Sequence, residues 1–226
     1  LNLSPMGTGV LSDSIWPLNR ARLAALLGFD GIVQNSMDSS QVIPSDNQLE
    51  AAGIASSSAI RIGAMMQDLH TQYAQVKPWL LLQEGSTYTS RAMPQKRNPG
   101  LIMQARMAAS DVVGLSEAAT IRVHNVPSGM VDYKSETADL GLFPHAIKMV
   151  DATKRVFDAI VVNKPRAQEE LESDWTSTMN LAELLLQQHK IPFRVGHGFA
   201  SQLVSYARPL DLTPKHIPFD VVTGTF

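Results

Sequence analysis

The chain carries, from residue 46 onward, Asp46-Asn47-Gln48-Leu49-Glu50-Ala51-Ala52-Gly53-Ile54-Ala55-Ser56-Ser57-Ser58-Ala59-Ile60-Arg61-Ile62-Gly63-Ala64-Met65-Met66. Here and on to Val76, the apolar residues Ala51, Ala52, Ala55, Ala59, Ile62, Met66, Leu69 and Tyr73 recur at three- and four-residue steps. That spacing lays them along one stripe of a helix. It predicts a helix from about Asp46 to about Val76, with Ser45 or Asp46 as its cap. The helix should end before Lys77-Pro78, because a proline pushes the preceding residue out of helical backbone. Many stripe residues are small, so a second helix can approach closely.

On the N-terminal side, residues 1–46 are rich in turn formers: Pro5, Gly7, Gly9, Pro17, Gly28, Gly31 and Pro44. One short helix is predicted there, from Asn19 to Leu27, stopped by Gly28. On the C-terminal side, Gly85 to Asn98 reads as a polar, Ser/Thr-rich loop. A second long helix is predicted from Pro99, suited to a first turn, to about Arg122. Asn125-Val126-Pro127-Ser128-Gly129 breaks it. A third helix is predicted from Ser135 to Val162, tolerating Pro144 or bending there.

Asn163-Lys164-Pro165 reads as a boundary. Shorter helices follow at Ala167–Glu172, Ser177–His189 (capped by Ser177) and Gly196–Ala207. No two-residue alternation persists. The expected fold is all-α: residues 1–164 form part of a long-helix bundle carrying a loop at 84–99, and residues 165–226 form a small helical domain. Three such helices cannot bury all their apolar faces against one another. Further helices are expected from additional sequence or partner subunits, and the chain is expected to fold poorly alone. It opens on a loop without an initiator Met and ends abruptly at Val221-Val222-Thr223-Gly224-Thr225-Phe226, so it is expected to be a piece of a larger protein, truncated in the small domain.

Composition narrows the function classes. Hydrophobic residues are 44% and charged ones 18%, ordinary for a globular protein with a sizeable core. The net charge of −2, with scattered basic residues, argues against nucleic acid or an anionic membrane as partner. No apolar run approaches the ~20 residues of a membrane span, and the N-terminus lacks the features of a signal peptide. There are no cysteines, so disulfides and thiolate metal sites are excluded; this fits a reducing, cytoplasmic setting. His70 and His124 fall at helix ends, where surface or capping roles predominate. No histidine pair has metal-ligand spacing with acidic support, so no metal is expected.

The chemistry concentrates in Thr89-Ser90-Arg91-Ala92-Met93-Pro94-Gln95-Lys96-Arg97-Asn98-Pro99. A hydroxyl, cations and an amide share one short segment, a set suited to taking a proton beside a carboxylate and holding the charge that develops. Arg91 and Arg97 are expected on the solvated or intersubunit side.

This segment resembles the serine-, Met-Pro-, Lys- and Asn-Pro-bearing loop of the fumarase/aspartase/argininosuccinate lyase superfamily. Ser90, Met93, Pro94, Lys96, Asn98 and Pro99 stand at the family spacing. Pro5-Met6-Gly7-Thr8-Gly9, Leu26-Leu27-Gly28-Phe29-Asp30 and Asn35-Ser36-Met37-Asp38 resemble stretches of the argininosuccinate lyase-like branch. Asn180-Leu181-Ala182 and Pro192-Phe193-Arg194 with His197 resemble its small C-terminal domain, where His197 would be structural.

The resemblance implies a homotetramer with active sites shared between subunits, and reversible anti elimination of fumarate without a cofactor. Ser90 would be the general base; Lys96 and Asn98 would bind the small-molecule substrate's carboxylate and stabilise its doubly charged form. A serine of ordinary pKa needs positive charge and donated hydrogen bonds to act so.

Departures bear on the substrate. The residue before the base is Thr89 where the family has Gly, the one after it is Arg91 where the family has Ser, and Met103 stands where it has Glu. Ser135 and Ala138 stand where argininosuccinate lyases carry Gln and Lys, so the groups recognising the amino-acid end of argininosuccinate are absent, leaving Tyr133 and Lys134 nearby. The expectation is a C–N lyase acting on another N-substituted aspartate, with ethylenediamine-disuccinate (EDDS)-type lyases as one precedent. The alternatives are a non-catalytic helical scaffold or truncated remnant, or another lyase or cycloisomerase of the same superfamily.

Overall fold

The computed structural model describes residues 2–9, 14–39, 43–124 and 141–225. The fold is all-α as expected, with eight α-helices among the described residues and strands of only two or three residues. The chain divides into two compact units, residues 1–71 with 82–160 and residues 72–81 with 161–226.

The first unit opens on β1 (Leu3–Ser4), parallel to β2 (Gly31–Ile32) with Leu3 opposite Gly31 and Ser4 opposite Ile32. Between them lies α1 (Arg20–Leu26). The Asn19 side chain accepts from the Arg22 amide at 2.9 Å and caps its start. Gly28, at φ +79°, closes its end while the amide of Phe29 reaches the Ala24 carbonyl at 2.9 Å. Only glycine takes that backbone conformation without a side-chain penalty.

Helix α2 (Ile43–Tyr73) starts earlier than the sequence indicated. Ser45 and Asp46 therefore fall inside the helix and cannot be its N-cap. Asp46 instead lies in the first turn, where a carboxylate meets the positive end of the helix dipole. The stripe is as expected: Ala52, Ala59 and Met66 are buried, and Ala51, Ala55, Ile62, Leu69 and Tyr73 are half-buried.

Helix α3 (Gly100–Val123) has Pro99 at its N-cap rather than in its first turn. Helix α4 (Leu142–Ala159) begins after Gly141, which puts Pro144 in the first turn, where its missing N–H breaks no helical bond. The expected start at Ser135 and the break at 125–129 lie outside the described residues. The C-terminal expectation is corrected: the helix ends at Ala159, and Ile160–Val162 forms strand β6 instead of a last turn. All three of those residues are β-branched, at the very end of the pattern, where strand and helix period cannot be told apart.

The core of this unit joins Ala52 and Ala59 of α2, Ala108, Ala109, Val112 and Ala119 of α3, and Leu142 and Met149 of α4. Two buried hydroxyls inside it are satisfied within their own helices. Ser116 Oγ donates to the Val112 carbonyl and Thr153 Oγ1 to the Met149 carbonyl, both at 2.8 Å.

In the second unit, α5 (Lys164–Ser173) starts three residues before the sequence suggested, because Asn163 caps it and Pro165 fits its first turn. Then come α6 (Thr178–His189), α7 (Phe193–Ala207) and α8 (Phe219–Thr225). Ser177 precedes α6 without making a side-chain capping bond, contrary to expectation. Helices α6 and α7 meet where Gly196 lies against Ala182, and Phe199, Ala200, Leu203 and Ala207 are buried on α7.

Candidate functional site

The loop before α3 is a built hairpin. After strand β3 (Leu80–Leu82), the Gln83 amide donates to the Ala159 carbonyl at 2.8 Å and its side-chain Nε2 to the Asp158 carbonyl at 3.2 Å. A turn follows in which Ser86 N–H returns to the Gln83 carbonyl at 3.0 Å. Gly85, at φ +90°, occupies the turn position that demands positive φ. Strand β4 (Tyr88–Thr89) then pairs antiparallel with β5 (Arg97–Asn98), with Tyr88 opposite Asn98 and Thr89 opposite Arg97. Residues 90–96 form the connecting turn.

All three residues expected at a site stand on this hairpin. The Ser90 hydroxyl is half-buried, and its oxygen accepts from the amides of Ala92 and Met93, each at 3.2 Å. The Ser90 amide donates to the Lys96 carbonyl at 3.3 Å, so the base of the turn joins these two residues through the backbone. Lys96 is exposed, and its ammonium has no hydrogen bond or ion pair among the described residues. Asn98 is half-buried and gives one amide hydrogen to the Tyr88 carbonyl at 3.2 Å. Arg97 is exposed, as expected, and its Nη1 also donates to the Pro94 carbonyl at 2.6 Å and the Lys96 carbonyl at 3.4 Å.

Behind the hairpin lies a cavity of about 420 Å³, whose walls include Ser86, Thr87, Tyr88, Gln104, Arg155 and Asp158. Ser90, Lys96 and Asn98 do not line it. Tyr88 belongs to both places. Its ring lies over Gly100, where a Cβ would come within 3.0 Å of it, and its hydroxyl points to the Met103 sulfur at 3.9 Å. Arg155 carries no signal in the sequence, and Gln104 stands out there only as the neighbour of Met103, facing another direction on the helix; helix spacing does not reveal which residues line a gap between α3 and α4. The guanidinium of Arg155 has no partner among the described residues, so this cavity could hold an anion.

Among the described residues no histidine is hydrogen-bonded to the Ser90 hydroxyl. His70 lies in the last turn of α2 with Arg106 bonded to its Nδ1 at 2.7 Å, and His124 is the C-cap of α3. Tyr133, Lys134, Ser135 and Ala138 lie outside the described residues.

No family model matches the chain. Over 211 residues it is 28% identical to an argininosuccinate lyase of Methanococcus maripaludis, covering 90% of this chain and 42% of that protein. Among solved structures it resembles an EDDS lyase in complex with formate, at TM-score 0.72 and 25% identity, over 99% of this chain and 44% of the other. A fumarate lyase:delta crystallin from Brucella melitensis bound to cobalt shares the fold, at TM-score 0.63 and 15% identity, over all of this chain and 50% of the other. The chain thus spans less than half the length of the lyases it matches in sequence.

Proposed function

We propose that this chain, which belongs to the fumarase/aspartase superfamily on its argininosuccinate lyase-like branch, carries one segment of the active site of a C–N lyase that releases fumarate from an N-substituted aspartate. The supporting observation is the turn itself. Two backbone amides are aimed at the Ser90 oxygen, and an unpaired ammonium, Lys96, stands on the same short turn.

In this reading Ser90 takes the proton from the carbon beside the substrate carboxylate. That C–H pair becomes the new double bond, the C–N bond breaks, and its electron pair leaves with the amine. A substrate nitrogen that starts protonated departs as neutral amine. Donors fixed on the serine oxygen lower the cost of its anionic form. Lys96 and the remaining amide hydrogen of Asn98 bind the carboxylate, whose charge doubles as the proton leaves. The substrate is an N-substituted aspartate other than argininosuccinate.

The working form is a cytoplasmic homotetramer in which neighbouring subunits complete each site. The unit around α3 and α4 supports this, because it leaves Met107, Ile121, Phe143, Ile147, Val150 and Phe157 exposed. Apolar side chains in such number on two helices need a cover. Within that assembly, residues 1–164 belong to the central bundle and 165–226 to the small domain.

The test is loss of fumarate ultraviolet absorbance with a panel of amines, including arginine and ethylenediamine, using the full-length protein and a Ser90→Ala control. Consumption that vanishes in the control supports the reading. Consumption that persists in the control removes Ser90 from the chemistry, and none with any amine, from a folded oligomer, leaves a scaffold.

A further inference from the structure

We propose that Arg97 is a positioning residue that clamps the 90–96 turn, holding the Ser90 oxygen under its two amide donors. This rests on the reading that Ser90 and Lys96 carry the chemistry. Arg97 itself is directed at the protein backbone, and it acts through the turn.

The turn has few bonds of its own. Its base is closed by Ser90 N–H to the Lys96 carbonyl at 3.3 Å, and Lys96 N–H reaches back to the Met93 carbonyl at 3.0 Å. Its tip contains Pro94, which has no N–H to contribute. The Arg97 guanidinium joins the two levels: Nη1 donates to the Pro94 carbonyl at the tip and to the Lys96 carbonyl at the base. The latter oxygen is the one that accepts the Ser90 amide. The 2.6 Å bond to Pro94 is a short, charge-assisted one, and the 3.4 Å contact to Lys96 is the longer, weaker arm.

Position and residue type both matter. Arg97 stands in β5 opposite Thr89, the residue just before Ser90, so the clamp is anchored on the strand that pairs with the base's own strand. Both carbonyls are reached by the one nitrogen, Nη1, held at the end of a planar, rigid guanidinium, whereas the lysine ammonium is a freely rotating point charge. The clamp also has an electrostatic effect: with Arg91, Lys96 and Arg97 close in sequence, directing one guanidinium onto carbonyl oxygens leaves the Lys96 ammonium for substrate. Where a Gly before the base would let the loop hinge, Thr89 and the Arg97 clamp give a stiffer turn.

The experiment compares wild type, Arg97→Met and Arg97→Lys in the full-length protein, with two readouts. The first is fumarate consumption with the amine that wild type uses. The second is amide hydrogen exchange at Ser90, Ala92, Met93 and Lys96, with the α3 amides as internal reference. We expect Arg97→Met to lower kcat roughly 10- to 100-fold, the scale of an ångström-sized misplacement. Exchange should quicken in the turn and stay unchanged in α3, and Arg97→Lys should restore part of both. Unchanged turn exchange in Arg97→Met overturns the proposal. So does protection lost equally throughout α3, which makes Arg97 a plain stability residue. Wild type inactive with every amine refutes the lyase reading, while the exchange readout still decides whether Arg97 clamps the turn.

Discussion

Arg106 donates from Nη1 to Nδ1 of His70 across 2.7 Å, joining the second turn of α3 to the last turn of α2. An arginine can only donate, so this ring nitrogen is the acceptor. Both residues are half-buried, and removing the arginine strands a polar ring between two helices. We expect Arg106→Met to lower unfolding stability by about 1–3 kcal/mol, the scale for losing a charged partner. The urea midpoint should fall at unchanged slope. A double-mutant cycle with His70→Ala should return a coupling of the same sign, and additive single effects would show that the contact contributes nothing.

Gly196 and Gly198 lie two residues apart on α7 and should respond oppositely to the same change. A Cβ on Gly196 would come within 3.0 Å of the Ala182 Cα, a backbone neighbour that cannot swing aside. A Cβ on Gly198 meets nothing within 4 Å. We expect Gly196→Ala to destabilise by about 1–3 kcal/mol through overpacking. Gly198→Ala should stabilise by up to about 1 kcal/mol through helix propensity. Thermal unfolding of the two variants side by side checks this, and a common sign would refute the packing derived for α6 and α7.

The contrast between Met66 and Arg97 shows what a reader of the sequence could reach. Met66 is fully buried, and its place on the α2 stripe follows from spacing alone, because helical period maps directly onto one face. The same holds for Ala52 and Ala59. The ends were harder: Asp46 looked like a cap but sits within the helix, since capping residues are also tolerated in first turns. Ser90, Lys96 and Asn98 stand out as a candidate set only through resemblance, and the hairpin that carries them is not legible in the sequence. Its strands are two residues each, too short for any alternation to show. Arg97 reads as a surface charge and is exposed, but its bond to the Pro94 carbonyl exists only because the chain doubles back. Gln104 and Arg155 meet at one cavity although they are far apart in sequence, and nothing local announces that.

Lys96 gives the most direct functional prediction after Ser90. Its ammonium is exposed and unpaired among the described residues, whereas Arg97 beside it is engaged with carbonyls. We expect Lys96→Met to lower kcat/KM by roughly 10²–10³, as for a lost donor to developing charge. Circular dichroism and the melting temperature should not move, because Lys96 supports the turn through its backbone only. A variant with undiminished activity would exclude Lys96 from carboxylate binding.

The second unit contains a pH-sensitive tie between α5 and the segment that follows α7. Lys215 Nζ lies 2.5 Å from Glu172 Oε2, and Gln168 donates to Oε1 of the same carboxylate at 2.6 Å. The Lys215 bond, then the Gln168 bond, hold Glu172 below its ordinary pKa of 4.5. A carboxyl with a depressed folded pKa binds its proton more readily once unfolded. Its contribution is therefore complete above pH 4.5 and is lost as pH falls through the lower folded value. Both side chains are solvent-accessible, so the effect is small and screened by salt. We expect the acid-side fall in melting temperature below pH 4.5 to be shallower in Lys215→Met than in wild type, with the two curves parallel near pH 7. The difference should shrink at 1 M salt. Equal acid slopes at low salt would mean that Lys215 does not set the Glu172 protonation state.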